Sequence, residues 1–147
     1  MAPIVEKDFI VRLIKQMAEV LARALGLARK GQHDEAIAVL ESSCPSLLGM
    51  DYAPLAMCDS ASAAGILREP ARVKNFARLL ATAAEVYELK GDASAARSKW
   101  QHALEMFIEA KLLRPDDDEA AEQIRNLAAK VPRDLLALRY QAQLERA

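Results

Sequence analysis

The sequence predicts an all-α protein built as one domain, and two observations stand behind that prediction. Apolar residues make up 52 % of the 147 residues, mostly as Ala and Leu, which are strong helix formers. Only five Gly and six Pro interrupt the chain, so we expect long helices with few breaks. A chain of this length can bury a core without disulfides or metals. We therefore treat residues 1–147 as a single all-α domain.

The first helix hairpin is predicted over about residues 6–48. Its first helix should run from about Glu6 to Lys30, where polar residues fall in one narrow stripe and the rest are apolar. A helix packed on one neighbour needs an apolar face only about 100° wide, so this helix must be covered on two sides. Gly31 suits the left-handed residue just after a helix. A second helix, capped by Asp34, should end near Pro45, which lacks a backbone donor.

The middle of the chain is predicted to be less regular. Residues 49–70 should form an irregular insertion, because Asp, Ser and Pro punctuate them. Within this insertion Asp59 or Ser60 is placed to cap a short helix that runs through Ala63 to Leu67. A second hairpin should follow over residues 71–114. Gly91 would stand between its two helices, and Pro115 would close the second one.

The final residues, 116–147, are predicted to form capping helices. Asp116 and Glu119 stand at the spacing of a capping box, in which two side chains satisfy each other's free backbone N–H groups. Pro132 suits the first turn of the last helix, because a residue there needs no backbone donor. The whole chain should therefore hold about six to seven helices.

The segment around Gly31 repeats around Gly91. Each Gly follows a Lys and ends a long predicted helix. Each Gly is followed by an Ala five residues later and by a large apolar residue four residues after that. These residues are Ala36 and Leu40 in the first hairpin, and Ala96 and Trp100 in the second. Repeats of this sort bury their faces by stacking on a neighbour.

At these residues the chain resembles a tetratricopeptide (TPR) repeat. The residues that fill the small, aromatic, Gly, Ala, aromatic and Ala positions of the pattern are Ala84, Tyr87, Gly91, Ala96, Trp100 and Ala103. The first hairpin matches less closely, because Leu27 and Leu40 stand in its aromatic positions. The closing Pro of the pattern, expected near position 108, arrives late, at Pro115.

The chain also looks like a bacterial family of short TPR-like proteins over about residues 8–114. Residues 31–36 and 87–92 carry this likeness, which implies no particular activity. Together the resemblances imply TPR-like antiparallel helix hairpins in a short right-handed solenoid or bundle. TPR domains bind peptides or helices of other proteins. The implied function is therefore that of a non-enzymatic adaptor, a protein–protein interaction module.

The TPR pattern also implies a partner-binding groove between the first helices of the two hairpins. Its apolar wall would consist of Ala18, Leu21, Leu25 and Ala28, and its polar wall of Arg78, Glu85 and Glu88. An apolar wall must be covered. Three covers stay open: the chain's own C-terminal helices, a second copy of the chain, or a helix of another protein.

Two other functions stay open beside the adaptor. One is a self-assembling structural homodimer, held by the apolar N-terminal helix through Phe9, Ile10, Ile14 and Met17. The other is a small-molecule-binding or enzymatic helical protein, which would need a convergent polar pocket. We predict no catalytic residue and no cofactor. The sequence has no Gly-rich phosphate loop, and neither cysteine has an adjacent basic motif to activate it.

No metal site is predicted either. His102, Glu105 and Glu109 share one face of a predicted helix, but a carboxylate-bridged site needs inward ligands from about four helices. That face lies opposite the apolar stripe of Trp100 and Leu104, so we expect it to face water.

Net charge, cysteine count and hydropathy limit which partners and which cellular location we expect. The formal net charge is −1, whereas nucleic-acid binders usually carry a basic excess. Cys44 and Cys58 are too few for a disulfide framework and favour buried thiols in a reducing cytosol. The chain shows no apolar run long enough to span a bilayer and no signal-peptide pattern. We expect a cytoplasmic protein that binds neither nucleic acid nor membranes.

Overall fold

A computed structural model describes residues 2–145 of the chain, with side chains from residue 8 onward. All regular secondary structure in this range is helical, which confirms the all-α prediction. The helices outnumber the six to seven expected. They are α1 (Ala2–Arg29), α2 (His33–Ser42), α3 (Cys44–Leu48), α4 (Tyr52–Ala56), α5 (Ser60–Leu67), α6 (Pro70–Lys90), α7 (Ala93–Leu113), α8 (Asp118–Ala128) and α9 (Leu138–Leu144), with a 3₁₀ turn over Arg133–Leu135.

The turn that joins α1 to α2 is the same as the turn that joins α6 to α7. A glycine holds a positive φ in each, +84° at Gly31 and +87° at Gly91. The backbone N–H bonds that close the two turns are Gly31 to Ala28 at 3.0 Å with Gln32 to Leu27 at 2.9 Å, and Gly91 to Glu88 at 3.1 Å with Asp92 to Tyr87 at 3.0 Å. This pair of bonds is the Schellman motif, which favours glycine because a Cβ is strained at positive φ. The sequence repeat is therefore a structural repeat of this turn.

Residues 49–70 are more regular than the sequence predicted and fold into α4 and α5. The second of these is the short helix predicted to run to Leu67. Asp59 caps α5 by accepting the Ser62 N–H at 2.7 Å. This bond satisfies one of the N–H groups that every helix start leaves free. Pro45 follows the end of α2 as expected and lies in the first turn of α3, where its missing donor is harmless.

The predicted cap of α8 was wrong by one residue. Asp117, rather than Asp116, caps the helix, and its Oδ1 accepts the Ala120 N–H at 3.0 Å. Glu119 forms an ion pair with Arg78 of α6 instead of completing a capping box. A contact between helices thus takes the place of the local contact that the sequence pattern suggested.

Three other helix starts differ from the prediction. α1 begins at Ala2 rather than near Glu6. α2 begins at His33, so Asp34 lies in its first turn and not at its cap. Pro132 precedes the 3₁₀ turn rather than opening the last helix.

α6 is the central helix of the fold. It packs against α7 along the second hairpin, and also against α1, α2, α3 and α5. Large fully buried side chains fill this region, among them Phe76, Leu80, Leu104, Met106 and Phe107. Burial of each such side chain contributes roughly 1.5–3 kcal/mol to folding. None of the helices within residues 2–145 has both the length and the hydropathy that crossing a membrane requires.

Candidate functional site

The surroundings of α1 change along its length. The helix packs on α2 and α6, and Ala24 and Ala28 are buried in its C-terminal half. Toward the N-terminus the large apolar side chains are exposed, namely Phe9, Ile10, Val11 and Ile14, with Ile14 exposed over 64 % of its surface. We call residues 8–16 the open half of α1. An apolar cluster of this kind on a protein surface indicates an interaction site.

A groove of about 460 Å³ lies beside the open half, between α1 and α6. Its α1 wall is apolar and consists of Ile10, Leu13, Ile14, Met17, Ala18 and Leu21. Its other wall consists of Ala71, Lys74, Asn75 and Arg78 from α6, together with Glu119 from α8. One apolar wall facing one polar wall suits an amphipathic helix.

The charges of the polar wall are paired within the chain. Lys74 lies 2.9 Å from the Asp117 carboxylate and 3.5 Å from that of Glu119. Arg78 forms an ion pair with Glu119 and donates to the Asn75 side chain at 3.1 Å. Two positive and two negative side chains therefore compensate one another, and the wall has little net charge to attract a charged partner.

Two pKa shifts reflect how closely these groups pack. Burial alone would raise the pKa of Asp117, but the hydrogen bond from Ala120 and the Lys74 ammonium together hold it below its ordinary value. Burial lowers the pKa of the Arg78 guanidinium, and Asp117 acts in the opposite direction. Both side chains stay charged near neutral pH, so the ion pairs persist there.

The structure brings together part of the predicted site. The predicted partner-binding and self-association residues that line the groove are Ile10, Ile14, Met17, Ala18, Leu21 and Arg78. Phe9 is exposed on α1, and Leu25 is partly buried. Ala28 is buried against the rest of the hairpin, so it cannot contact a partner in this conformation.

The two predicted glutamates lie elsewhere. Glu85 is exposed on α6. Glu88 accepts the Trp100 indole N–H at 3.1 Å. It lines a separate cleft with Lys130, whose ammonium lies 4.8 Å from the centre of the Trp100 ring. Glu88 is therefore engaged by the second hairpin itself and does not line the groove.

Two charged residues of the polar wall, Lys74 and Glu119, were not predicted as partner-binding residues. Helical spacing could have found Lys74, because it stands four residues before Arg78 and therefore on the same face of α6. Glu119 belongs to α8, and no local pattern connects α8 to α6. Only the fold brings its carboxylate to the groove.

A second cavity, of about 570 Å³, lies where α5, α7 and α9 meet. Glu105 stands in its wall and accepts the Ser60 hydroxyl at 2.6 Å. The Gln101 amide donates to the other Glu105 oxygen at 3.3 Å. We call this space the polar cavity, because hydroxyl, amide, carboxylate and imidazole groups converge on it.

The polar cavity corrects the prediction that His102, Glu105 and Glu109 face water. Glu109 is buried and accepts the Tyr140 hydroxyl at 2.5 Å and the Arg139 guanidinium at 2.6 Å. Burial raises the pKa of Tyr140, and the Glu109 carboxylate adds to that shift. The prediction was wrong because α5 and α9, which are distant in sequence, cover this face of α7.

His102 lines the polar cavity and packs edge-on against Phe76, with ring centroids 5.3 Å apart. Burial lowers the pKa of His102 to about 4, and the Lys99 ammonium acts in the same direction. The imidazole is therefore neutral near pH 7. Within the described residues, no group of three or more His, Cys, Asp or Glu side chains is placed to hold a metal ion.

The groove and the polar cavity offer different chemistry. The groove presents an apolar wall beside ion pairs that are already formed, which suits the surface of another helix. The polar cavity presents a neutral imidazole beside a carboxylate, which suits a small polar molecule. Comparisons of the chain with protein-family models, with curated proteins and with solved structures found no match.

Proposed function

We propose that the protein is a non-enzymatic interaction module of the cytoplasm, with two TPR-like hairpins, that binds a protein helix in the groove between α1 and α6. The observation that carries the proposal is the open half of α1. Phe9, Ile10, Val11 and Ile14 are exposed beside a groove, whereas Met17, Ala24 and Ala28 further along the same helix are buried. Apolar side chains in this setting gain free energy when a partner removes them from water.

Two features support TPR-like hairpins as the scaffold. The first is the Schellman turn, which recurs with the same hydrogen bonds after α1 and after α6. The second is the burial of small residues at matching positions, which are Ala24 and Ala84 before the turns and Ala36 and Ala96 after them. Small side chains there let the two helices of each hairpin approach closely. In hairpins of this type the first helices, here α1 and α6, face the partner.

A helix suits the groove better than an extended peptide. Ile10, Ile14, Met17 and Leu21 recur along α1 at three- and four-residue steps, and such ridges pack into the grooves of another helix. An extended peptide needs backbone groups to pair with. The backbone groups of α1 and α6 are already bonded within their own helices.

Photo-cross-linking in cells tests the proposal. A photoreactive amino acid is placed at Ile14 and, in a matched control, at Leu138, which is 81 % exposed on α9. We expect a protein adduct from position 14, none from position 138, and loss of the adduct when Leu21→Asp is added. Equal adducts from both positions, or none from a folded position-14 protein, would contradict the proposal.

The polar cavity supports a second candidate function, the binding of a small polar molecule. The observation that favours it is the neutral imidazole of His102 beside the Glu105 carboxylate in one wall. Thermal-shift screening against metal ions and nucleotides tests it. A true ligand raises the Tm of the wild-type protein and leaves the Tm of His102→Gln unchanged. If no compound raises the Tm of the wild-type protein more than that of His102→Gln, this candidate function is rejected for those ligand classes.

A further inference from the structure

We propose that the helix bound in the groove is α1 of a second copy of the chain, so that the protein is an antiparallel homodimer. This inference rests on the proposed function and names its partner. In such a dimer α1 acts twice, as a wall of its own groove and as the helix that enters the neighbouring groove. A two-fold axis relates the two contacts, so the same contact forms twice and the assembly closes as a dimer.

The open half of α1 needs cover on more than one side. Successive helix residues are about 100° apart, so Ile10 and Val11 project to different sides of α1. Ile10 lines the groove, whereas Val11 does not, and both side chains are exposed, at 54 % and 46 %. A foreign helix bound in the groove would cover Ile10 and leave Val11 in water. In the dimer α1 also enters the groove of the second copy, and this second contact covers Val11.

The charge of the groove agrees with such a guest. Lys74 and Arg78 are already paired with Asp117 and Glu119, so a charged peptide would have to displace an ion pair or bury a charge without a partner. The face of α1 that would enter is apolar at Val11, Ile14, Ala18 and Leu21, and Lys15 stands at its edge. The centre of this face therefore brings no charge that would displace one of the ion pairs.

The spacing along α1 selects a register for the pair. Val11, Ile14, Ala18 and Leu21 recur at alternating three- and four-residue steps, the pattern of a packed helix pair. A two-fold axis level with Gln16 sets Ile14 opposite Ala18 of the second copy, and Val11 opposite Leu21 of the second copy. A large side chain then meets a small one at the centre, which permits close packing. The same two-fold axis relates the two contacts of the dimer. The part of α1 that lines its own groove is the part that enters the groove of the second copy.

Light scattering of the purified protein across a concentration series tests the dimer. We expect twice the monomer mass for the wild type and for the control Leu138→Asp. We expect the monomer mass for Ile14→Asp, with an unchanged far-ultraviolet circular dichroism spectrum, because Ile14 is exposed and its replacement leaves the core intact. A wild type that is monomeric at every concentration, or an Ile14→Asp variant that stays dimeric, overturns the inference.

Disulfide formation tests the register. Cys58→Ser provides the background, in which the buried Cys44 is the remaining native thiol. Proteins carrying Ile14→Cys and Ala18→Cys are mixed, allowed to exchange subunits, and oxidised. We expect the 14–18 heterodisulfide to form at least about tenfold faster than either homodisulfide, because aligned thiols react within one complex. A faster 14–14 disulfide would indicate parallel helices and would overturn the proposed arrangement.

The homodimer and the interaction module fail in different ways. A monomeric protein whose position-14 cross-linker joins a different protein in cells overturns the homodimer and leaves the interaction module standing. A monomeric, folded protein that forms no position-14 adduct overturns both.

Discussion

The ammonium of Lys74 lies 2.9 Å from the carboxylate of Asp117, and this contact joins α6 to the start of α8. The Asp117 side chain is only 5 % exposed, and its other oxygen accepts the Ala120 N–H. One carboxylate therefore caps a helix and neutralises a partly buried lysine at the edge of the groove. A buried charge is stable only when it is paired and hydrogen-bonded in this way.

Removal of this carboxylate should destabilise the fold. Asp117→Ala deletes the cap of α8 and leaves Lys74 without its closest partner, so we expect a loss of about 3 kcal/mol in the free energy of unfolding. Asp116→Ala is the matched control, because Asp116 is 87 % exposed and its ion pair with Arg114 is long, at 3.8 Å. We expect that control to change stability by less than about 0.5 kcal/mol. Urea unfolding at pH 7 measures both, and equal losses would refute the assigned cap.

The burial of His102 should make stability depend on pH. The folded protein keeps the imidazole neutral down to a pKa of about 4, whereas the unfolded chain takes up a proton near the ordinary pKa of 6.5. The unfolded state therefore binds the extra proton between these values. Stability should fall as the pH falls from 6.5 to 4, by up to about 3 kcal/mol, and this contribution should be constant above pH 6.5.

The His102→Gln variant isolates that contribution, because it keeps a polar side chain and removes the titration. We expect the difference in unfolding free energy between the wild type and the variant to shrink or change sign between pH 7 and pH 4.5. Carboxylates titrate in both proteins and cancel in the difference. A difference that does not vary with pH would show that the imidazole is solvated in the folded state.

The two cysteines should differ sharply in reactivity. Cys44 is buried, and burial raises the pKa of its thiol to about 12, with Glu41 and Asp51 adding to the shift. Only about one molecule in ten thousand then carries the reactive thiolate at pH 8. Cys58 is partly exposed at the edge of the polar cavity. A thiol reagent should modify one cysteine quickly in the native protein and none in Cys58→Ser. Fast labelling of Cys58→Ser without denaturant would contradict the burial of Cys44.

Two glycines should respond in opposite ways to the same substitution. An added Cβ has nothing within 4 Å at either Gly26 or Gly91, so only the backbone distinguishes them. Gly91 holds φ at +87°, and Gly91→Ala should destabilise the protein by about 1 kcal/mol. Gly26 lies inside α1, and Gly26→Ala should stabilise it by up to about 1 kcal/mol. Thermal unfolding of the pair measures both, and shifts of the same sign would refute this account.

The long helices could be predicted from the sequence because their signals are local. The apolar spacing of α6 and α7, the glycine between them and the proline after them all act within a few residues. The short helix α4 escaped prediction because it is too short to show a clear apolar period. The start of α5 could be predicted, because its capping residue, Asp59, is a local signal.

The groove could be predicted only in part. The resemblance to the TPR pattern implied Ala18 and Leu21 on α1 and Arg78 on α6. The acidic partners of the basic side chains, Asp117 and Glu119, could not be derived, because they stand at the start of α8. Their contribution depends on how α8 packs and not on its own sequence pattern.

The sequence by itself determined where the hairpins turn, because a helix that ends in a left-handed residue favours glycine, and the chain supplies Gly31 and Gly91 at those points. Tertiary structure alone decided which polar faces meet water. The face of α7 that carries His102 and Glu109 has the spacing of a solvated surface, yet α5 and α9 bury Glu109 and partly cover His102. Whether a helix face is buried depends on which distant segments of the chain pack against it. Those contacts leave no periodic pattern in the sequence of the covered helix.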